Sequence, residues 1–187
     1  MPTTFVFMRH AQGTHNVDTF RRGTGSHPDY LDAELTAIGI QQTMDTREKL
    51  KDITFDAIYC SPLRRCRTTL LGTYPKSVDL PVQLDDRLIE QPTGTELCNK
   101  RLEKSDIVPN VSNHWNMTNV SEVNPFKVCS LREDFEKIYE FTSMVQRDWP
   151  DGLILVVSHC GWINHWMRVY QDKHVILDNC AYIEATL

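Results

Sequence analysis

Two histidines stand at the ends of short apolar runs and are the first candidates for chemistry in this chain. His10 follows the run 5–9, which closes with Arg9, and His159 follows the run 153–158. A neutral imidazole is a good nucleophile toward phosphorus at pH 7, and a guanidinium matches the geometry of a phosphate. If the two runs are neighbouring parallel strands, the three side chains meet at one sheet edge, where they would suit a phosphate group.

Phosphoryl transfer at such an edge needs further cations and an acid. Cations must hold the equatorial phosphate oxygens, where charge develops, and a carboxylic acid must protonate the leaving oxygen. Arg64 and Arg65 lie one turn into a predicted helix, so one or both can point back at a strand end. The candidates are His10 as nucleophile, Glu90 as acid, and Arg9, Arg65 and His159 as the clamp.

The elements that must position these residues alternate between strand and helix. Apolar runs rich in branched and aromatic residues predict strands at about 5–9, 55–60, 81–86, 153–158 and 180–187. Helices are predicted at about 37–50 with Thr36 as N-cap, from Pro62 with Ser61 as N-cap, at 131–149 behind a capping box, and at 162–170. This alternation is typical of an α/β sandwich.

Two polar stretches interrupt the pattern. The segment 11–30 reads as a long loop whose Arg21 and Arg22 could line a site, although we favour a solvated position for both. Arg67, which lies in the predicted helix that begins at Pro62, is also expected to be solvated. The segment 91–129 is rich in Asn, Ser, Thr and Pro and has little periodicity, which predicts a functional lid or insertion.

Composition limits the class of protein. The 187 residues suffice for one domain, and a net charge of −5 argues against a general nucleic-acid binder, which needs a basic face. No apolar run reaches the length of a membrane span, and we expect no signal peptide because the first strand begins almost at once. Six scattered cysteines favour reduced thiols and a cytoplasmic location. The sequence carries no signal of oligomeric state.

Taken together, the motifs resemble those of the histidine phosphatase superfamily, which has the phosphoglycerate-mutase-like fold. The segment 9–16, RHAQGTHN, resembles the family's R-H-G/A-E/Q opening with its trailing asparagine, here Asn16. The segment 61–65, SPLRR, resembles S-P-L-x-R and selects Arg65 over Arg64. Further matches are the L-T-x-x-G-x-x-Q helix start at 35–42, Glu90 after the third strand, the second histidine motif at 158–161, and Asn179.

The resemblance implies a three-layer α/β/α sandwich with a mostly parallel sheet, an antiparallel edge strand, and the insertion at about 91–129 over the carboxyl edge of a single domain, 1–187. It implies a phosphomonoester hydrolase that acts through a phosphohistidine on a small phosphorylated molecule, without a metal or organic cofactor. The implied catalytic residues are His10, Glu90, His159, Arg9 and Arg65, and Arg9, Asn16, Arg65 and His159 are the implied phosphate contacts.

A narrower resemblance lies within the insertion. The segment 98–101, CNKR, is similar to the C-D-K-R or C-D-R-R of a plant and fungal branch of mutase-like proteins, but Asn99 replaces the aspartate. Lys100 and Arg101 could therefore recognise a second phosphate or carboxylate of the substrate, or could be solvated lid charges.

Four other functions compete with this one. A cysteine phosphatase needs C-x5-R, and none of the six cysteines has an arginine six positions later. A zinc hydrolase needs ligand spacing such as H-E-x-x-H, which is absent. A phosphoglycerate-mutase-type phosphotransferase uses the same phosphohistidine but returns the phosphoryl group to substrate. A phosphate-binding pseudoenzyme that serves as an interaction module would need a broken site, whereas the required residues are all present.

Overall fold

The computed structural model describes residues 2–17, 26–90, 96–108, 111–125 and 131–187. Within these residues the strands are β1 (Thr4–Arg9), β2 (Ala57–Cys60), β3 (Val82–Asp85), β4 (Asn116–Asn119), β5 (Leu153–Ser158) and β6 (Tyr182–Thr186). The helices are α1 (Thr14–Val17), α2 (Ala37–Leu50), α3 (Arg64–Thr73), α4 (Lys104–Ile107), α5 (Leu131–Asp148) and α6 (Cys160–Gln171). Arg21 and Arg22 lie outside the described residues, so their predicted solvation stays a prediction.

The strands form one sheet in the order β4-β3-β2-β5-β1-β6. All neighbouring pairs are parallel except β1 and β6, which run antiparallel at one edge. The mostly parallel sheet with an antiparallel edge strand is therefore confirmed. The parallel pairing of β1 with β5 places Arg9 opposite Ser158, so the two strands end side by side.

Alternate residues of β1 build the two hydrophobic cores of the sandwich. Phe5 and Phe7 are fully buried with apolar residues of α5 and α6 on one face of the sheet. Val6 and Met8 are buried with residues of α2 and α3 on the other face. Full burial of each such side chain stabilises the fold by about 1.5–3 kcal/mol. Because both faces are covered, the strand reads as a continuous apolar run in the sequence.

The start of α2 follows the prediction from sequence, whereas the start of α3 does not. Thr36 caps α2, since its Oγ1 accepts the N–H of Gly39 at 3.0 Å. The predicted N-cap of α3, Ser61, instead continues the sheet by donating its N–H to the carbonyl of Val157. The helix begins only at Arg64, after Leu63. The Ser61 hydroxyl is thereby left at the strand end.

The insertion contributes to the sheet as well as to the carboxyl edge. Its polar segment Asn116–Asn119 forms β4, which pairs in parallel with β3. Trp115, just before β4, is buried and donates its indole N–H to the carbonyl of Ser77 at 2.7 Å. The expectation of an irregular segment was therefore wrong for these residues, because pairing with β3 stabilises a strand that its own polar composition does not predict. No helix in the described part of the chain is both long and apolar enough to cross a membrane.

Candidate active site

The two histidines predicted from the apolar runs meet at the carboxyl edge of the sheet. His10 follows β1 and His159 follows β5, and the centroids of their rings lie 5.2 Å apart. Both side chains are buried. The parallel register of β1 and β5 produces this proximity, as the sequence predicted.

The ring of His10 is oriented by its own backbone. Its Nδ1 lies 2.7 Å from the carbonyl oxygen of Ala11. Because a carbonyl can only accept, the proton of the neutral ring resides on Nδ1, and the lone pair is on Nε2. Burial and, next, the charge of Arg65 hold the pKa of His10 well below its usual value. His10 is thus a neutral imidazole with one basic nitrogen, as a nucleophile requires.

His159 is held in the opposite tautomer. Its Nδ1 accepts from a guanidinium nitrogen of Arg65 at 3.1 Å, since arginine can only donate. Its Nε2–H therefore donates to the hydroxyl of Ser61 at 3.0 Å. Burial first, and then the charge of Arg65, lower the pKa of His159 well below its usual value. The second histidine is a neutral hydrogen-bonding group beside His10.

The first turn of α3 separates its arginines. Arg65 is buried, 1% exposed, and reaches His159, whereas Arg64 is exposed and pairs with Glu34. Arg65 is therefore the arginine that lies beside the histidines, and its role as phosphate ligand stays a prediction. The expectation that Arg67 is solvated was wrong, because its side chain is buried and forms an ion pair with Asp32.

Arg9 and Asn16 form part of the wall around the histidines. Arg9 donates to the carbonyl of Leu177 at 2.6 Å, and its charge contributes to the lowered pKa of His10. The Nε–H of Arg9 is buried and has no hydrogen-bond partner among the described residues. Asn16 accepts the N–H of Gly13 at 2.9 Å, which folds the loop after β1 back on itself. Their contacts with substrate remain proposals.

Glu90 lies at the amino end of α6, the helix that follows His159. Its carboxylate accepts the backbone N–H groups of Gly161 at 3.0 Å and Trp162 at 3.1 Å. A Cβ atom on Gly161 would lie 2.7 Å from Oε1 of Glu90, so any other residue at this position would require the carboxylate to shift. The arrangement brings the predicted acid to the same sheet edge as the predicted nucleophile.

The lid residues Lys100 and Arg101 differ in their surroundings. Lys100 is half-buried, and its carbonyl accepts the N–H of Asp32. The guanidinium of Arg101 is buried and bound by both carboxylate oxygens of Asp86, at 2.8 and 3.0 Å, and by the carbonyl of Leu102. The expectation that Arg101 is a solvated lid charge was wrong, because its guanidinium is buried in these contacts, which anchor the insertion. Recognition of a second substrate group by Lys100 and Arg101 stays a prediction.

His15 is a residue of the site that the sequence analysis did not single out. Its ring centroid lies 5.5 Å from that of His10. Burial and then the charges of Arg65 and Arg9 lower the pKa of His15 to about 3. The only sequence signal is its position within the segment 9–16, where a histidine could as easily be exposed.

Among the described residues, no group of three or more His, Cys, Asp or Glu side chains is arranged to hold a metal ion. The chemistry available to the described site is that of a neutral nucleophilic imidazole, two guanidinium groups, a second imidazole and a carboxyl group. Such a set can bind a phosphoryl group, attack its phosphorus and exchange a proton with the departing oxygen.

The chain belongs to the histidine phosphatase superfamily (branch 1), whose family profile matches residues 5–182. Curated relatives include a probable phosphatase of Schizosaccharomyces pombe, 28% identical over 49% of this chain and 30% of the relative. They also include phosphoglycerate mutase-like protein 1 of Arabidopsis thaliana, 36% identical over 38% of this chain and 27% of the relative. The matched part of this chain thus spans under a third of each relative's length.

Solved structures share the fold over nearly the whole chain. The phosphoglycerate mutase of Bacillus anthracis superposes with a TM-score of 0.70 at 18% identity, covering 99% of this chain and 88% of its own. The α-ribazole phosphatase of Shigella flexneri gives a TM-score of 0.67 at 21% identity, with 97% and 89% covered. A mutant phosphoserine phosphatase of Entamoeba histolytica, solved in complex with phosphoserine, gives a TM-score of 0.66 at 20% identity. The match covers 97% of this chain and 89% of that one.

Proposed function

We propose that this protein is a phosphomonoester hydrolase that acts through a phosphohistidine intermediate on a small phosphorylated molecule. The observation that carries the proposal is the tautomer of His10. The carbonyl of Ala11 holds the proton on Nδ1, so the nucleophilic lone pair is on Nε2 next to Arg9, Arg65 and His159.

The proposed reaction has two steps. The Nε2 lone pair of His10 attacks phosphorus, the bond from phosphorus to the ester oxygen breaks, and protonated Glu90 gives its proton to that oxygen. Water then attacks phosphorus, the bond from phosphorus to Nε2 of His10 breaks, and ionised Glu90 takes a proton from the water. Inorganic phosphate leaves, and His10 and Glu90 return to their starting states. Arg9 and Arg65 stabilise the charge on the equatorial oxygens in both steps, and the Nε2–H of His159 joins them by exchanging the Ser61 hydroxyl for a phosphoryl oxygen.

A panel of phosphorylated metabolites tests this function, with the His10→Ala variant as the blank. The panel includes phosphoserine and 3-phosphoglycerate, since solved relatives from Entamoeba histolytica carry these ligands. Release of inorganic phosphate from at least one compound by the wild type, and not by the variant, is expected. No turnover of any compound, with orthophosphate still bound, would favour a binding module instead.

A phosphoglycerate-mutase-type transfer is the second candidate, because the fold is shared with the mutase of Bacillus anthracis. It uses the same phosphohistidine and differs only in the acceptor. Product analysis separates the two functions: hydrolysis releases phosphate in step with substrate loss, whereas transfer yields a phosphate isomer.

We also propose a cytoplasmic location. This proposal rests on the scattered cysteines, of which Cys60, Cys66, Cys98, Cys160 and Cys180 are free thiols.

A further inference from the structure

Two buried arginines near the site each have a carboxylate partner. Arg67 lies 3.5 Å from Oδ2 of Asp32, and Arg101 lies 2.8 Å from Oδ1 of Asp86. This is the usual condition of a buried cation, because an uncompensated charge in the interior is costly. Both guanidinium charges are therefore neutralised within the protein.

Arg65 is buried but has a different set of partners. Its guanidinium donates to the carbonyl of Cys98, to Oδ1 of Asn99 at 3.1 Å and to Nδ1 of His159 at 3.1 Å. All three acceptors are neutral, and no carboxylate of the described residues lies within ion-pair distance of it. The positive charge of Arg65 is consequently available to an anion that enters the site.

The turn 97–100 supplies two of these acceptors, those of Cys98 and Asn99, and hydrogen bonds to other parts of the fold hold it in place. Asn99 ends the short helix Leu97–Asn99 and is 8% exposed. The next carbonyl, that of Lys100, accepts the N–H of Asp32, and Arg101 binds Asp86. Asn99 is thus held in place by contacts that do not involve Arg65, and its amide oxygen is a fixed acceptor.

We propose that Asn99 is a positioning residue that holds Arg65 through a neutral amide, so that the guanidinium charge remains available to the phosphoryl group. This inference rests on the proposed function and deepens it. Aspartate has the same shape and could accept the same bond, but its charge would form an ion pair with Arg65. Asn99 therefore makes the phosphate pocket more positive by one charge than aspartate would, which favours doubly charged phosphoryl groups.

The variants Asn99→Asp and Asn99→Ala separate charge from hydrogen bonding. Orthophosphate binding is measured by calorimetry, and inhibition of p-nitrophenyl phosphate hydrolysis by vanadate is measured alongside. Asn99→Asp is expected to weaken both roughly tenfold or more, and Asn99→Ala considerably less, since the charge-assisted contact to the ligand is what is lost. Asn113→Asp, at an exposed position of the same insertion, is the matched charge control and should bind as the wild type does.

Weaker orthophosphate binding by Asn99→Ala than by Asn99→Asp would overturn the proposal. If only the hydrogen bond matters, Asn99→Asp keeps an acceptor and binds like the wild type, while Asn99→Ala is the weaker binder. Should Asn99→Asp fail to fold, Asn99→Glu and Asn99→Gln provide the same charge contrast, and equal affinities for orthophosphate would refute the role. Orthophosphate binding needs no turnover, so a wild type that binds phosphate without hydrolysing any ester refutes the proposed function and not the role of Asn99.

Discussion

At the scale of single residues, the site combines neutral imidazoles with positive guanidinium groups in one buried pocket. The pKa values of His10, His15 and His159 are all lowered, first by burial and next by the charge of Arg65. A neighbouring cation disfavours a second positive charge, so the same arginine that would hold a phosphate also keeps the nucleophile unprotonated. The charge of Arg65 therefore serves both to attract a phosphate and to keep His10 unprotonated.

The first prediction is that His10 carries the phosphoryl group during turnover. Substrate labelled in the phosphate, quenched rapidly without acid, should leave a stable label on the wild-type protein, and acid should then release it. The His10→Ala variant should carry none, because no other described side chain presents a basic nitrogen in the same position. Turnover by His10→Ala at the wild-type rate would contradict the assignment.

The second prediction concerns the two adjacent arginines of α3. Arg65→Ala should lower kcat/KM by roughly two to three decades, by analogy with the loss of one oxyanion-hole donor. Arg64→Ala is the matched control and should change kcat/KM far less, because its exposed pair with Glu34 contributes about 0–1 kcal/mol. Steady-state kinetics of both variants, with thermal unfolding to confirm folding, decide the matter. A larger loss of kcat/KM in Arg64→Ala than in Arg65→Ala would show that Arg64 binds the phosphate.

The third prediction tests Glu90 as the acid. An alkyl ester needs a proton on its leaving oxygen, whereas p-nitrophenolate departs without one. Glu90→Gln should therefore lose most activity on an alkyl phosphate and much less on p-nitrophenyl phosphate, and it should still form the phosphohistidine from the latter. Equal losses on the two substrates would mean that Glu90 only supports the start of α6.

At the scale of elements, a buried ion pair joins the insertion to the carboxyl edge of the sheet. Arg101 binds Asp86, the residue that follows β3, and donates to the carbonyls of Leu102 and Ser121. The turn that holds Arg65 therefore depends on a contact that is not itself part of the pocket. Loss of this anchor should affect stability and the position of Arg65 together.

The fourth prediction follows from that anchor. Arg101→Met leaves the carboxylate of Asp86 without its charged partner and should lower the free energy of unfolding by about 3–5 kcal/mol. Urea denaturation measures this loss. The double variant Arg101→Met with Asp86→Asn removes both charges and should recover part of the stability. The single variant Asp86→Asn is measured as well. If Asp86→Asn lowers the free energy of unfolding by the same amount in the Arg101→Met variant as in the wild type, the two residues are not coupled.

At the scale of the whole molecule, the sequence predicts what depends on local pattern and misses what depends on distant partners. The helix at 37–50 and the meeting of His10 with His159 follow from periodicity and from apolar runs that end at one edge. The strand Asn116–Asn119 could not be predicted, because its polar residues form a strand only beside β3. The burial of Arg67 was missed for the same reason, since Asp32 lies 35 positions away.

The burial of the histidines has a consequence for the stability of the entire fold. A histidine that stays neutral in the native state takes up a proton when the chain unfolds at a pH below its ordinary pKa of 6.5. The unfolded state then binds more protons than the native state, so the free energy of unfolding falls as the pH drops below about 6.5. Above that pH these histidines contribute no slope, because they are neutral in both states.

The fifth prediction gives this slope a magnitude. Each histidine that stays neutral in the folded protein contributes up to about 1.4 kcal/mol per pH unit, so His10, His15 and His159 together contribute up to about 4 kcal/mol per pH unit between pH 6.5 and 5. Urea unfolding in phosphate-free buffer at several pH values measures the slope. His15→Gln should reduce it by up to about 1.4 kcal/mol per pH unit, whereas His114→Gln, at an exposed position, should leave it unchanged. A slope that His15→Gln leaves intact would mean that His15 is protonated in the folded protein, and the account of a neutral pocket would have to be abandoned.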